Sequence, residues 1–480
     1  MSPIEIDIFT IIPELFLACA TMMLLLLGVF GGPKRAVAIH WAGIVLLGLT
    51  AYLVYTAPVD KMLAFNGLFI RDGFGALMKM LCLTGSAFAI LMSINYMRTE
   101  NSLKFEYPVL ICFAALGMMM MVSANDLMSL YIGIELQSLA LYVLAAFNRD
   151  SYKSTEAGLK YFVLGALSSG MLLYGASLVY GFSGATNFDG IAYALNDGAG
   201  LGLIVGLMFM LAGLCFKVSA TPFHMWTPDV YEGSPTPVTA FFAVAPKIAA
   251  MALFIRLLMG PFADLVVQWQ QVIIFVSVAS MLVGAVGAIT QTNIKRLLAY
   301  SSIGHMGYAL MGLSAATEDG VMSIVLYLGI YLVMSLGTFA AIIVMRKDER
   351  AVDSISDLSG LSKTHPFMAL MLAIFMFSMA GIPPMAGFFG KLYVFMAVVE
   401  AGLFGLAVVG VLTSVIAAYY YIRIIKVMYF DDVKGELDAY RPPEITWILA
   451  GSGAFTSFFI LFPAPFVQLA GIAAAAFFAP

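Results

Sequence analysis

The sequence predicts an all-α polytopic membrane protein with about fourteen transmembrane helices. Hydrophobic residues make up 62% of its 480 residues and charged residues only 11%, against about 25% charged residues in soluble domains. The mean hydropathy is +0.97. The apolar residues also form long continuous runs, whereas the strands of an outer-membrane barrel would give short alternating segments.

Fourteen apolar stretches approach the length of about 20 residues that a membrane-spanning helix needs. They lie at 9–30, 36–56, 73–96, 106–122, 127–147, 158–181, 201–221, 237–258, 269–290, 295–315, 321–345, 366–398, 402–428 and 445–470. Loops that follow odd-numbered spans hold fourteen Lys and Arg residues, and those that follow even-numbered spans hold about three. Because cytoplasmic loops carry the excess of positive charge, both termini are predicted on the non-cytoplasmic side.

Several functional classes are excluded by the sequence. The four cysteines are scattered through apolar runs, without the spacing of a zinc or iron–sulfur site, and no glycine-rich nucleotide loop occurs. We therefore expect no cofactor, metal or redox centre in this chain. The net charge of −4, without a basic patch, argues against nucleic-acid binding.

Four ionisable residues are predicted inside apolar spans: Glu135, Lys217, Lys247 and Lys391. On insertion scales each costs about 2.5–3.5 kcal/mol, on the order of 10–14 kcal/mol for all four. A cost of this size points to a proton or charge pathway within the membrane. Two structural alternatives stay open: Glu135 as one half of an ion pair that holds two helices together, and Lys217 extending to the nearer interface.

Two of the lysines lie beside sequences that interrupt a helix. Lys217 is five residues before Pro222, and Lys391 follows the segment Ala380-Gly-Ile-Pro-Pro-Met-Ala-Gly-Phe-Phe-Gly390. Proline removes a helical hydrogen bond, and broken helices within a membrane are tolerated where they line a cavity or the protein interior. The lysine precedes the proline in the first break and follows it in the second, which suggests inverted repeats.

The repeats divide the chain into four predicted segments. Residues 1–105 hold helices 1–3, residues 106–258 the first five-helix repeat (helices 4–8), residues 269–428 the second, inverted repeat (helices 9–13), and residues 429–480 helix 14. The broken helices are 7 and 12.

Two histidines are secondary candidates for proton relay. His305 shares a helix face with Ser301 and Tyr308, although a neutral histidine satisfied in the core fits equally well. His224 lies in the segment after Pro222, near a possible inlet.

Other basic residues lie near the ends of spans. Lys79 and Lys160 are interpreted as anchors at the membrane interface, and Lys295-Arg296 as an anchor at the cytoplasmic end of a span.

An energy source is not evident in the chain. A lysine is normally charged at neutral pH, and burial or neighbouring charges must change before it releases a proton. The residues alone therefore predict either a proton-translocating subunit driven from outside or a secondary antiporter driven by a gradient. A membrane scaffold that only docks other subunits is the third possibility.

Four long motifs resemble one known family. They are Asn125–Ala140, Phe216–Phe241, Asn293–Tyr308 and Gly381–Lys391. Each is similar to the antiporter-like subunits of the respiratory NADH:quinone oxidoreductase (respiratory complex I). The segment Tyr231–Val238 and a lysine at position 391 resemble the N-type branch rather than the M and L subunits.

The resemblance implies a role for each buried charge. Glu135 would be the acidic partner of Lys217, Lys247 the central relay, and Lys391 the terminal relay of a hydrated axis. The implied function is proton translocation driven by redox chemistry in partner subunits, where NADH, FMN, iron–sulfur clusters and quinone would bind. The implied setting is a bacterial inner membrane with lipids and K-type and M-type subunits as neighbours. The alternative is an Mrp-like cation/proton antiporter subunit.

Overall fold

The computed structural model describes residues 3–479 except 197, 199, 349, 436, 439 and 441. Its helices are α1 (Pro3–Thr10), α2 (Ile12–Gly31), α3 (Ala36–Thr56), α4 (Gly73–Thr99), α5 (Glu106–Val122), α6 (Leu127–Ala145), α7 (Tyr152–Ser183), α8 (Phe188–Leu195), α9 (Leu201–Lys217), α10 (Thr227–Gly233), α11 (Thr236–Met259), α12 (Val266–Ile289), α13 (Ile294–Ser314), α14 (Glu318–Ile343), α15 (Leu361–Thr364), α16 (Pro366–Ala380), α17 (Ala386–Glu400), α18 (Phe404–Phe430), α19 (Pro443–Phe458) and α20 (Pro463–Phe478). Short 3-10 helices occur at Pro33–Arg35, Ala263–Leu265, Ile355–Leu358 and Phe459–Leu461.

The predicted class, a helical polytopic membrane protein, is confirmed. Within the described residues, ten helices are long and apolar enough to cross a membrane, and four shorter apolar helices accompany them: α5, α9, α16 and α20. Most predicted spans coincide with one helix within a few residues. The total of fourteen crossings stays a prediction.

Both predicted helix breaks are present. The seventh span ends at Lys217 rather than at residue 221, and it resumes as α10 after a turn. Ser219 has φ +63°, and the amide of Ala220 donates to Cys215 O (2.8 Å). This left-handed turn satisfies carbonyls at the helix end and stops α9. The twelfth span is interrupted between α16 and α17 at residues 381–385.

The prediction of a single helix at 445–470 was wrong. The chain forms α19 and α20 with a 3-10 turn at Phe459–Leu461 between them. Pro463 opens α20, and Phe462 before it has φ −138° and ψ +47°, outside the α-helical region that a residue preceding proline disfavours.

Two β-hairpins were not predicted from the sequence. Strand β1 (Met62–Ala64) pairs with β2 (Phe69–Arg71), and β3 (Arg346–Lys347) pairs with β4 (Arg350–Ala351), both antiparallel. Strands of two or three residues are too short for alternation to be recognised.

The centre of the bundle is formed by α11 and α14. Every residue from Thr236 to Leu258 in α11 is buried, and α11 packs against α4, α5, α13 and α14. Because such a helix contacts protein on all sides, any polar side chain on it must find a partner or it carries a desolvation cost.

Both ends of the described chain lie at the same end of the molecule as the hairpin β1–β2. Helix α1 packs on β1, and Lys61 Nζ donates to Ala479 O at 2.9 Å. This arrangement agrees with an even number of membrane crossings.

Candidate functional site

The three lysines predicted inside spans lie within the protein. Their exposed fractions are 8% for Lys217, 1% for Lys247 and 5% for Lys391, while Glu135 is half-buried. Lys217 therefore does not extend to the surface of the chain. A buried ammonium group needs hydrogen-bond acceptors around it, and the elements that supply these acceptors define the site.

Lys217 is held by α6 but not by Glu135. Its Nζ donates to Ser138 Oγ at 2.6 Å, and Ser138 Oγ in turn donates to Ile134 O at 2.6 Å. Ser138 lies one turn along α6 from Glu135. Glu135 Oε1 is buried without a hydrogen-bond partner among the described residues. The expected Glu135–Lys217 pair is thus not a direct ion pair here, because Ser138 provides the contact.

Lys247 is surrounded by side chains from three other helices. It follows Pro246 on α11, and its Nζ donates to Ser302 Oγ of α13 at 2.6 Å. Tyr331 OH of α14 donates to the same Ser302 oxygen at 2.7 Å. The ammonium group also lies over the Tyr231 ring of α10, 5.4 Å from its centroid.

His305 occupies a cluster of hydroxyl groups on the next turn of α13. Its Nδ1 is 2.6 Å from Tyr327 OH, and its Nε2 is 3.1 Å from Tyr421 OH. The imidazole ring is 5.0 Å from the ring of Tyr331. The Tyr331 hydroxyl donates to Ser302, the serine that also accepts from Lys247. The structure therefore brings His305 close to the surroundings of Lys247.

Lys391 lies at the second helix break. Its Nζ donates to Ser414 Oγ at 2.8 Å and to Ala380 O at 3.0 Å, and it is 4.8 Å from the centroid of the Tyr308 ring. Ala380 ends α16, so the amine meets the negative end of a helix dipole. Gly381 has φ +86°, and a Cβ there would lie 2.9 Å from Lys391 Cδ. Glycine is required both by this conformation and by the close approach of the lysine.

A common feature links the three lysines: each donates to a serine hydroxyl, at 2.6, 2.6 and 2.8 Å. A neutral acceptor satisfies the ammonium group without a counter-charge. A carboxylate in the same position would favour the charged form strongly. Among the described residues, none of these three amines is hydrogen-bonded to a carboxylate.

A cluster of aromatic rings lies beside Lys217, whose Nζ is 5.9 Å from the centroid of the Phe216 ring. The Trp226 ring stacks on Tyr161 at 4.4 Å, and Trp226 Nε1 donates to Phe216 O at 3.0 Å, which closes the turn between α9 and α10. Within the described residues, no side-chain hydrogen bond joins these two lysines directly.

His224 is placed differently from His305. It is half-buried in the turn between α9 and α10, and its Nδ1 has no hydrogen-bond partner in the part of the chain that the structure describes. The structure does not bring it into hydrogen-bond contact with the lysines.

Lys79 was wrongly interpreted as an interface anchor. It is buried, and its Nζ is 2.6 Å from Glu14 Oε1 of α2. A second buried pair joins Asp72 and Arg256 at 2.7 Å. The signal for the first pair was present in the sequence, since Glu14 and Lys79 each lie five or six residues inside predicted spans and carry opposite charges.

The basic pair at the start of α13 binds the short helix α10. Lys295 is buried and donates to Glu232 O at 2.7 Å. Arg296 Nη1 donates to Asp229 Oδ1 at 2.5 Å, and Lys160 Nζ is 2.7 Å from the other Asp229 oxygen. These contacts fix the second half of the broken span between α7 and α13.

No group of three or more His, Cys, Asp or Glu side chains that could hold a metal ion occurs among the described residues.

Comparison with known proteins gives consistent results. Residues 124–417 match the family described as NADH:quinone oxidoreductase/Mrp antiporter, TM. The chain is 57% identical to NADH-quinone oxidoreductase subunit N of Rhodospirillum rubrum, over 97% of this chain and 96% of that one. It resembles a chain of respiratory complex I from Thermus thermophilus (TM-score 0.82, 31% identity, 96% and 99% of the two chains). A chain of the Mrp complex from a Dietzia species shares the fold (TM-score 0.84, 22% identity, 98% of each chain).

Proposed function

Because the chain belongs to the family of membrane subunits shared by NADH:quinone oxidoreductases and Mrp antiporters, we propose that it acts as the proton-translocating subunit N of an NADH:quinone oxidoreductase. It is a subunit of a translocase, and the redox chemistry that drives it takes place in partner subunits. The observation that carries this proposal is the set of three buried lysines, each bound to a serine and two of them beside a helix break.

The proposed relay runs along these residues. Glu135 influences the protonation of Lys217 through Ser138. Lys247 is the central relay residue, and Lys391 is the terminal one. His305 and its tyrosine neighbours form the polar contact on the Lys391 side of Lys247. When one lysine becomes charged, a neighbouring lysine is less able to hold a proton, so a change at Lys217 displaces protons along the series.

The step between Lys217 and Lys247 needs water, because no side-chain hydrogen bond joins their surroundings among the described residues. A water-mediated bridge is nearly as favourable as a direct hydrogen bond. His224, with an unpaired nitrogen at the turn, is proposed as a secondary relay toward an inlet.

The setting of the protein is also proposed. Its multi-pass membrane domain would lie in a bacterial inner membrane with both termini on the non-cytoplasmic side, beside K-type and M-type subunits. NADH, FMN, iron–sulfur clusters and quinone would bind to partner subunits. Residues 106–258 and 269–428 would be the two inverted repeats, flanked by 1–105 and 429–480. The breaks at α9–α10 and α16–α17 support this division.

The Mrp-like antiporter remains the alternative, with no specific observation in its favour. Hard cations take oxygen ligands, but the buried carboxylates of Glu14 and Asp72 each face a basic side chain. An antiporter would show sodium-dependent proton flux in vesicles that contain no redox partner.

Substitution of the central lysine tests the relay. We expect Lys247→Met to lower the number of protons pumped per NADH in vesicles containing the assembled enzyme, because Met fills the site but carries no proton. The matched control is Lys363→Met, which removes an exposed lysine and should leave pumping unchanged. Undiminished pumping in Lys247→Met would remove this residue from the pathway.

A further inference from the structure

A second buried acid–base pair lies outside the series of serine-bound lysines. Glu14 on α2 and Lys79 on α4 have side chains that are 8% and 6% exposed, and the Lys79 Nζ to Glu14 Oε1 distance is 2.6 Å. The ammonium group also lies 5.0 Å from the centroid of the Phe69 ring. Both Glu14 oxygens are buried without a hydrogen bond among the described residues, so the contact with Lys79 is a close ion pair and the carboxylate is incompletely satisfied.

The pair lies at nearly the same depth as Lys247. Helices α4 and α11 are packed antiparallel: Asp72 binds Arg256 at one level, and Cys82 Sγ is 3.6 Å from Ala245 O at another. Along the chain, Lys79 lies part of the way from Asp72 to Cys82. The point at the same fractional distance from Arg256 to Ala245 is position 248. Lys79 is therefore within about one helical turn, about 5.4 Å, of the level of Lys247.

A cavity of about 390 Å³ reaches Pro13, the residue before Glu14, and most of its wall is apolar. Its lining includes Thr10, Pro13 and Arg71, and Glu14 directly follows Pro13. Arg71 Nε is also buried without a partner in the described part of the chain. The volume has room for on the order of ten water molecules, and buried polar groups that lack partners are the usual sites of internal water. The cavity lies at the end of the molecule that carries β1–β2 and both chain ends.

The other buried pair on α4 has a different character. Both oxygens of Asp72 accept from Arg256 (2.7 and 2.8 Å), and Oδ1 also accepts from the amide of Gly75 at 2.7 Å. Arg256 Nε donates in addition to Val122 O. This pair is saturated with hydrogen bonds and caps α4, so it has a structural role. The Glu14–Lys79 pair lacks those extra contacts.

A gain in stability is a weak reason to keep the unsaturated pair. Buried ion pairs can often be replaced by apolar side chains without loss of stability. Two charges that are poorly hydrogen-bonded and lie near a cavity reached by the Arg71 and Thr10 side chains are better suited to exchanging a proton.

We propose that Glu14 and Lys79 form a proton-exchange site that opens through this cavity to the end of the molecule carrying both termini. The Lys79 ammonium passes its proton to the Glu14 carboxylate, giving a neutral amine and a neutral acid. The acid then releases that proton to water in the cavity. Because like charges disfavour one another, a proton on Lys247 promotes this release, and loss of the proton from Lys247 favours reprotonation of Lys79. The inference rests on the function proposed above.

The test is proton pumping by the assembled enzyme in proteoliposomes, with Lys247→Met as the reference. We expect Glu14→Gln and Lys79→Met to lower the protons pumped per NADH to an extent comparable with Lys247→Met. Glu14→Asp, which keeps a carboxylate, should retain most of the pumping. The matched control is Asp72→Asn, which alters the saturated pair and should change stability but not the ratio of protons to NADH.

A double variant addresses the case in which a single substitution prevents assembly of the enzyme. Glu14→Leu combined with Lys79→Met removes both charges together, and a merely structural pair predicts wild-type pumping in this double variant. Wild-type pumping in Glu14→Gln or in the double variant, with Lys247→Met impaired, would overturn the exchange site alone. Wild-type pumping in all of them, including Lys247→Met, would overturn the proposed function itself.

Discussion

Ser302 offers a sharp test of how a neutral partner controls a buried lysine. Its Oγ accepts from Lys247 Nζ at 2.6 Å and from Tyr331 OH at 2.7 Å. In Ser302→Ala the charged amine loses an acceptor, and a hydrogen bond to a charged group contributes about 1.5–3 kcal/mol. At about 1.36 kcal/mol per factor of ten, the protonation equilibrium of Lys247 moves toward the neutral amine by about tenfold to a hundredfold.

The direction of this shift in the protonation of Lys247 determines what the assay should show. Because the protonated amine is disfavoured, a higher proton concentration is needed to load it, and the pH at which pumping is half-maximal should move toward acid by about one to two pH units. The measurement is the initial rate of NADH-driven proton uptake into proteoliposomes across a pH series. Ser302→Thr keeps the hydroxyl and should restore the wild-type profile.

Two controls separate this effect from general damage. Tyr331→Phe removes the other hydroxyl that binds Ser302 but leaves the Lys247 acceptor, so it should lower stability without moving the pH profile. Ser323→Ala removes a buried serine that donates to Gly320 O of its own helix turn and should alter neither. If Ser302→Ala has the pH profile of Ser323→Ala, the view that Ser302 sets the protonation of Lys247 is refuted.

Two further predictions concern the scaffold around the site. Gly381→Ala should lower stability by about 1–3 kcal/mol, because alanine at φ +86° is strained and its Cβ would crowd Lys391. Calorimetry of the purified enzyme measures this loss, and an unchanged melting temperature would contradict the prediction. Arg256→Met should lower stability by about 3–5 kcal/mol, because it leaves Asp72 buried without its cation. Adding Asp72→Asn should recover part of that loss in the same measurement. Equal stability of the single and double variants would show that the charge of Asp72 is not responsible.

The candidate lysines were recognisable from local sequence, whereas their partners were not. Lys217, Lys247 and Lys391 stand out because apolar residues surround them, and each is buried in the structure. Their serine acceptors lie 79, 55 and 23 residues away along the chain. Helical spacing places Ser138 on the same face as Glu135. Serine is common in apolar helices and carries no charge, so nothing in the sequence distinguishes Ser302 or Ser414 from other serines.

Charge alone also misled the interpretation at two places. Lys79 was assigned to the interface because it is near the start of a span, but the facing carboxylate of Glu14 allows it to be buried. Lys295 was interpreted as an anchor at the cytoplasmic end of a span, but it is buried and donates to the carbonyl of Glu232 inside the protein. In both cases the deciding group belongs to a helix that is distant in sequence.

The sequence by itself determined the helical membrane class, the two helix breaks and the depth of the principal charges, since apolar length, proline position and the cost of burying charge are local properties. Only the tertiary structure decided which polar groups meet. It placed Ser138 rather than Glu135 on Lys217, put His305 among tyrosines, and paired Glu14 with Lys79. The reason is that hydrogen bonds and ion pairs act over about 3–4 Å, and such distances between helices are set by how the whole bundle packs.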